Sequence, residues 1–145
     1  MKLSLLILSI LSLCSCSITQ PQESFKGTYV IQNYIPTRGF SAITYEEASK
    51  YKGTEIVYNK ELAQFGNAFC KSPTYKINTI DDDAFFQLTR NSLSNLGLHG
   101  NIAYEVSLTC GSKSDNWLYG TSLFFNSSDR VIFLIEGVWI EAFRK

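Results

Sequence analysis

A mainly β fold is predicted from three features of the sequence. Aromatic residues make up 14% of the chain, and all of them fall after Ser24. Eight short apolar or alternating segments are separated by Gly, Pro, Asn and Asp turn formers, the punctuation of strands rather than of long helices. In the last third the side chains alternate apolar and polar with a period of two. The expected architecture is a small antiparallel barrel or strongly curved sheet of seven to eight strands with one or two short helices, in a single β-rich domain over residues 27–145.

The first strand is GTYVIQNYI, residues 27–35, ended by Pro36, which cannot donate to a ladder. Thr44 with Glu47 three residues on forms a capping-box signature, so a short helix is expected before Gly53. GTEIVYN and LAQFGNAFC read as the next two strands, and TYKINTI after Pro73 as a weaker one. Asp81, Asp82 and Asp83 precede AFFQL. Adjacent carboxylates diverge in an extended or helical backbone, and no EF-hand glycine and final glutamate follow, so these residues read as an N-cap and first-turn charges favoured by the helix dipole. SLSNLGL adds a helical turn stopped at Gly97.

In NIAYEVSLTC, residues 101–110, Ile102, Tyr104, Val106, Leu108 and Cys110 share one face. WLYGTSLFF, RVIFLI and VWIEAFRK then form a meander, with Glu136-Gly137 as the last tight turn. Residues 131–135 are apolar on both faces. That strand must be covered by the interior on one side and by a helix or loop on the other.

Ahead of the domain, MKLSLLILSI carries one positive charge, Lys2, and no other charge appears before Glu23. This is the n-region and h-region of an export signal, too short to span a bilayer. Leu13-Cys14-Ser15-Cys16 resembles the lipobox of bacterial lipoproteins, with Cys14 unusual at its second position. An ordinary secretory signal with two incidental cysteines is the competing reading. The lipobox resemblance implies a signal over residues 1–15, acylation of Cys16, a tether over residues 16–26, and, with Ser17 rather than Asp next, delivery to the outer membrane of a Gram-negative envelope. Several acyl chains anchor firmly where one binds reversibly. With Cys14 discarded and Cys16 lipidated, Cys70 and Cys110 remain to pair as a disulfide in an oxidising compartment.

Gly27-Thr28-Tyr29 at the start of the first strand and Arg144 at the end of the last resemble the lipocalin-like arrangement. In that family a Gly-x-aromatic at the closed end of a barrel packs under an arginine. Tyr29 stands where a tryptophan is usual, and the helix expected after the first strand departs from the family.

The chain has 13 basic and 13 acidic residues; losing Lys2 with the signal leaves 12 against 13. Such a balance does not attract nucleic acid. His99 is the only histidine, no Gly-x-Ser-x-Gly is present, and no Cys-x-x-Cys spacing occurs. Neither a nucleophile with its base nor a metal or cofactor site is expected. A paired-carboxylate site could draw only on Glu105, Glu136 or Glu141, and Glu141 is expected either to lie near a sheet edge or to pair with an arginine such as Arg130 or Arg144. The expected function is therefore non-enzymatic. It is either a protein-binding module with a periplasmic partner, of the inhibitor or immunity type, or a lipocalin-like carrier of a small apolar ligand. The bulk of Trp117, Tyr119, Phe124, Phe125, Phe133, Trp139 and Phe143 favours a filled interior. Work then falls to the loops YIPTRGF and GSKSDNW, with Arg38, Phe40, Lys113 and Trp117 as candidate binding residues.

Overall fold

The computed structural model describes residues 23–37, 39–111 and 119–145. Among these described residues nine strands form one antiparallel sheet, curled into a half-barrel, with two α-helices. In chain order they are β1 (Gly27–Ile35), α1 (Tyr45–Ser49), β2 (Glu55–Tyr58), β3 (Leu62–Phe65), β4 (Ala68–Lys71), β5 (Thr74–Asp81), α2 (Asp82–Thr89), β6 (Ile102–Thr109), β7 (Ser122–Ser127), β8 (Arg130–Ile135) and β9 (Val138–Arg144), with a 3-10 turn at Ser94–Leu96. The sheet order is β4-β3-β2-β1-β9-β8-β7-β6-β5. First and last strands lie side by side at the centre, and the free edges are β4 and β5.

The strand count exceeds the expected seven to eight because LAQFGNAFC is a hairpin rather than one strand. Gly66, at φ 56, turns β3 back on β4 with Phe65 opposite Ala68. A Gly-Asn pair supplies the positive φ that a two-residue hairpin turn needs. Cys70 on β4 and Cys110 just after β6 form a disulfide with Cα atoms 5.6 Å apart, which ties the edge strand β4 to the end of β6, the strand inside the other edge. A bridge over 40 residues of separation stabilises by roughly 4 kcal/mol in the chain-entropy model.

The concave side is packed with rings. Phe25, Tyr29, Tyr58, Phe125 and Phe133 are fully buried there. Phe25 meets Tyr75 at 5.1 Å and Phe125 at 5.9 Å, Tyr104 stacks on Phe125 at 5.2 Å, and Phe65 meets Phe133 edge-on at 6.1 Å. Such contacts add to area burial because ring edges and faces carry opposite partial charge.

The convex side carries a second core. Val131, Phe133 and Ile135 of β8 point into the half-barrel, whereas Ile132 points out into a cluster with Phe85 of α2, Leu93, Leu96 and Leu98. The two-sided cover expected for that strand is thus present at Ile132, whereas Leu134 on the same outward face is 42% exposed. Phe124 and Trp139 belong to the outer cluster, 5.0 and 5.9 Å from Phe85, so they do not fill the interior as the sequence suggests. Alternation sends them outward, and α2 makes that face dry.

Asp81 caps α2 by accepting from the Ala84 N–H, and Asp82 accepts from the Leu93 N–H. The carboxylates thus build the helix start and fasten the following loop. Arg130 donates to Glu141, to the Gly97 carbonyl at 2.8 Å and to the Leu96 carbonyl at 2.6 Å, pinning the 3-10 turn to the sheet. Ile102, placed by its period on the inner face, is 53% exposed because it begins β6 beyond the reach of the core.

Candidate functional site

β1 has two different ends. At its start, Arg144 donates to the carbonyls of Ser128, Lys26 and Ser24 at 2.6, 2.9 and 2.6 Å and to the Tyr29 hydroxyl at 2.9 Å. Its guanidinium lies 5.0 Å from the Tyr29 ring centroid, a cation–π contact. A Cβ on Gly27 would overlap that guanidinium. Tyr29 donates to the Phe25 carbonyl at 2.7 Å. Its hydroxyl is pushed up to about 12, chiefly by burial, with Arg144 opposing and Asp129 adding to the rise. The guanidinium and the phenol at this base thus bond to the chain itself, which makes it a structural fastening.

At the far end the same strand leads to exposed rings. The β1–β9 register shifts between Ile31 and Asn33, so Gln32 is a bulge, and beyond it Tyr34 lies opposite Ile140. Tyr34 stacks on Tyr45 with centroids 4.8 Å apart and planes 8° apart, and both are more than a third exposed. Tyr45 is the first residue of α1, which the predicted capping box holds: the Glu47 N–H donates to the Thr44 hydroxyl, and the Thr44 N–H to the Glu47 carboxylate at 2.8 Å. Those bonds from Thr44, the backbone one first, hold Glu47 below the usual carboxylate range. Tyr45 also donates to the Thr37 carbonyl.

Phe40 lies on this rim with its ring fully exposed, yet its backbone is fastened. The Ala42 N–H donates to the Glu136 carbonyl at 2.8 Å. Gly137, at φ 88, is so close that a Cβ would lie 2.7 Å from the Phe40 carbonyl oxygen and 2.8 Å from Ser41 Cα. Only glycine allows the loop to rest on the β8–β9 turn. Beside it Tyr119 donates to Glu136 at 3.0 Å, and its hydroxyl is pushed up to about 12 by hydrogen bonding with Tyr51 first and Glu136 second.

Between β1 and α1 runs a half-open groove of about 390 Å³, walled by residues 31–34 and Pro36 on one side and by Ala48, Ser49 and Lys52 on the other. β2 pairs with β1 only from Gly27 to Val30, and the last bonds on that side join Ile31 to Gly53 and Thr54. Among the described residues no strand pairs with residues 32–35 on that flank.

Of the residues singled out from the sequence, Phe40 is on the rim, Cys70 and Cys110 are bonded, and Glu141 pairs with Arg130 and accepts from Asn33. Cys16, Arg38, Lys113 and Trp117 lie outside the described residues. The carboxylates do not converge. Glu105, Phe124, Ile132 and Glu141 are successive partners across four strands, about 14 Å end to end at ~4.8 Å per strand. His99 is exposed, and its carbonyl accepts from Asn126. Among the described residues no three His, Cys, Asp or Glu side chains gather as metal ligands, and no helix is long and apolar enough to cross a membrane. Tyr45 and Lys52 carry no mark in the sequence. They join the site because β2 stops short and leaves room for α1. Comparison with family models, with curated proteins and with solved structures returned no match.

Proposed function

We propose that this chain is a lipoprotein anchored through Cys16 to the outer membrane and facing the periplasm. It acts without catalysis as a protein-binding module of the inhibitor or immunity type, and the rim formed by Tyr34, Phe40 and Tyr45 is its contact face. The observation that carries this reading is the ring-filled concave side, where Phe25, Tyr29, Tyr58, Phe125 and Phe133 are fully buried in mutual contact. Ligand pockets run to about 300–1,000 Å³, and side chains occupy that volume here. Work is left to the surface, and Phe40 supplies an exposed aromatic anchor in a loop that the Ala42 N–H on the Glu136 carbonyl holds to the β8–β9 turn, which lowers the entropy cost of binding.

Orientation supports the same face. The chain enters the domain beside Gly27, and the rim lies at the other end of the nine-residue β1, roughly 30 Å away at ~3.3 Å per residue. A domain tethered at its base presents the rim away from its own membrane. The Gly27, Tyr29 and Arg144 base supports a lipocalin-like fold and carries no ligand with it.

The test is affinity capture from envelope extract with the wild type and Phe40→Ala, with intact-mass analysis of the membrane-purified chain. Expected are a protein partner lost in the variant and an acylated N-terminus at Cys16. A small apolar molecule copurifying at one equivalent would instead support the carrier, and an unacylated chain would remove the anchor.

A further inference from the structure

From the groove between β1 and α1 we infer a docking line for the free C-terminus of an extended peptide, an assignment that rests on the protein-binding reading and names what the partner presents. The strand wall is a sheet flank left open beyond Val30, where β2 ends. Four residues, 32–35, remain on that flank, about 13 Å at ~3.3 Å per residue. The opposite wall is a short helix, set back far enough to leave about 390 Å³. A strand on one side and a helix on the other is the geometry in which a peptide adds to a sheet edge. Main-chain hydrogen bonds then supply affinity, and side-chain pockets supply selectivity.

Charge selects the end of the peptide. Lys52 is the one charged residue among those walling the groove, and among the described residues its ammonium has no ion pair or hydrogen-bond partner. Asn33 and Ser49 are already engaged, with Glu141 and with the Glu46 carbonyl. Lys52 is exposed to water, so it does not require a partner, but it is the charge an occupant of the groove would meet, and a terminal carboxylate at the end of an added strand complements it. Tyr34, stacked on Tyr45, closes one end of the groove with a ring for an apolar side chain. A glycan would stack on the rings but make no use of a sheet flank.

The experiment immobilises the full chain in detergent micelles and passes over it a pool of random hexapeptides with free C-terminal carboxylates, then the same pool as C-terminal amides. Retained peptides are read by mass spectrometry. At least tenfold greater retention of the carboxylate pool is expected, falling to the amide level in Lys52→Ala and kept in Lys52→Arg. Amide hydrogens of residues 32–35 should exchange more slowly with peptide bound. Equal retention of the two pools, indifference to Lys52→Ala, or retention of an N-acetylglucosamine trimer in place of peptide overturns the assignment. If the pools fail while Phe40→Ala still abolishes partner capture, the rim reading stands and the groove assignment alone falls.

Discussion

The two ends of β1 are built from the same materials, tyrosine, glycine and backbone carbonyls, and reach opposite outcomes. At the base, one arginine satisfies three carbonyls and a hydroxyl and covers a ring that has no exposed surface. At the rim, the loop rests on Gly137 and is held by the Ala42 N–H on the Glu136 carbonyl, but the rings are left in water. Rigidity at the base stabilises the fold; rigidity at the rim holds side chains ready for something else. Fixing a loop without burying its largest side chain contributes little to folding, which is why the rim reads as a recognition surface.

Substitutions at the two ends should separate in size. Tyr29→Ala removes a fully buried ring and with it one of the four acceptors and the cation–π partner of Arg144, so a loss of about 3–5 kcal/mol is expected in urea denaturation. Arg144→Ala leaves four acceptors without their donor, partly open to water, for a loss of about 2–3 kcal/mol. A loss below about 1 kcal/mol for either would equate base and rim and break the contrast.

Alkali probes the same burial. An unfolded tyrosine ionises near 10, and Tyr29 holds its proton to about 12; Tyr58 and Tyr75 are raised further, chiefly by burial. Because the unfolded state releases these protons first, their contribution is fully present below pH 10; that of Tyr29 is lost as pH rises from about 10 to 12, and those of Tyr58 and Tyr75 are lost at still higher pH. Absorbance at 295 nm should show these tyrosines ionising together with the loss of circular dichroism, not before it. The smallest effect belongs to the rim: Phe40→Ala should change stability by less than about 0.5 kcal/mol.

Much of this contrast was legible in the chain. Residues 131–135, apolar at every position, call for cover on both faces, and α2 with Leu93, Leu96 and Leu98 provides it over Ile132, leaving Leu134 exposed. The base could be anticipated from Gly27, Tyr29 and Arg144, and Phe40 from its place among turn formers. The second hairpin was hidden because Gly66-Asn67 sits inside an apolar run. Bulk alone puts Phe124 and Trp139 in the interior, and bulk does not say which face of a strand a side chain takes when its neighbours are also apolar. The groove was illegible for a different reason. It exists because β2 ends opposite Val30, and register between strands is a property of pairing and turn geometry rather than of local composition.

The central claim is that the rim, and not the interior or the base, meets a protein partner. Site-directed photo-cross-linking in intact envelopes tests it most directly, with a benzophenone side chain placed at Phe40 or, as the base control, at the exposed Asp129. A discrete protein adduct from position 40 and none from position 129 is the expected result. Adducts from position 129 alone, or adducts of both positions only to lipid, would contradict it.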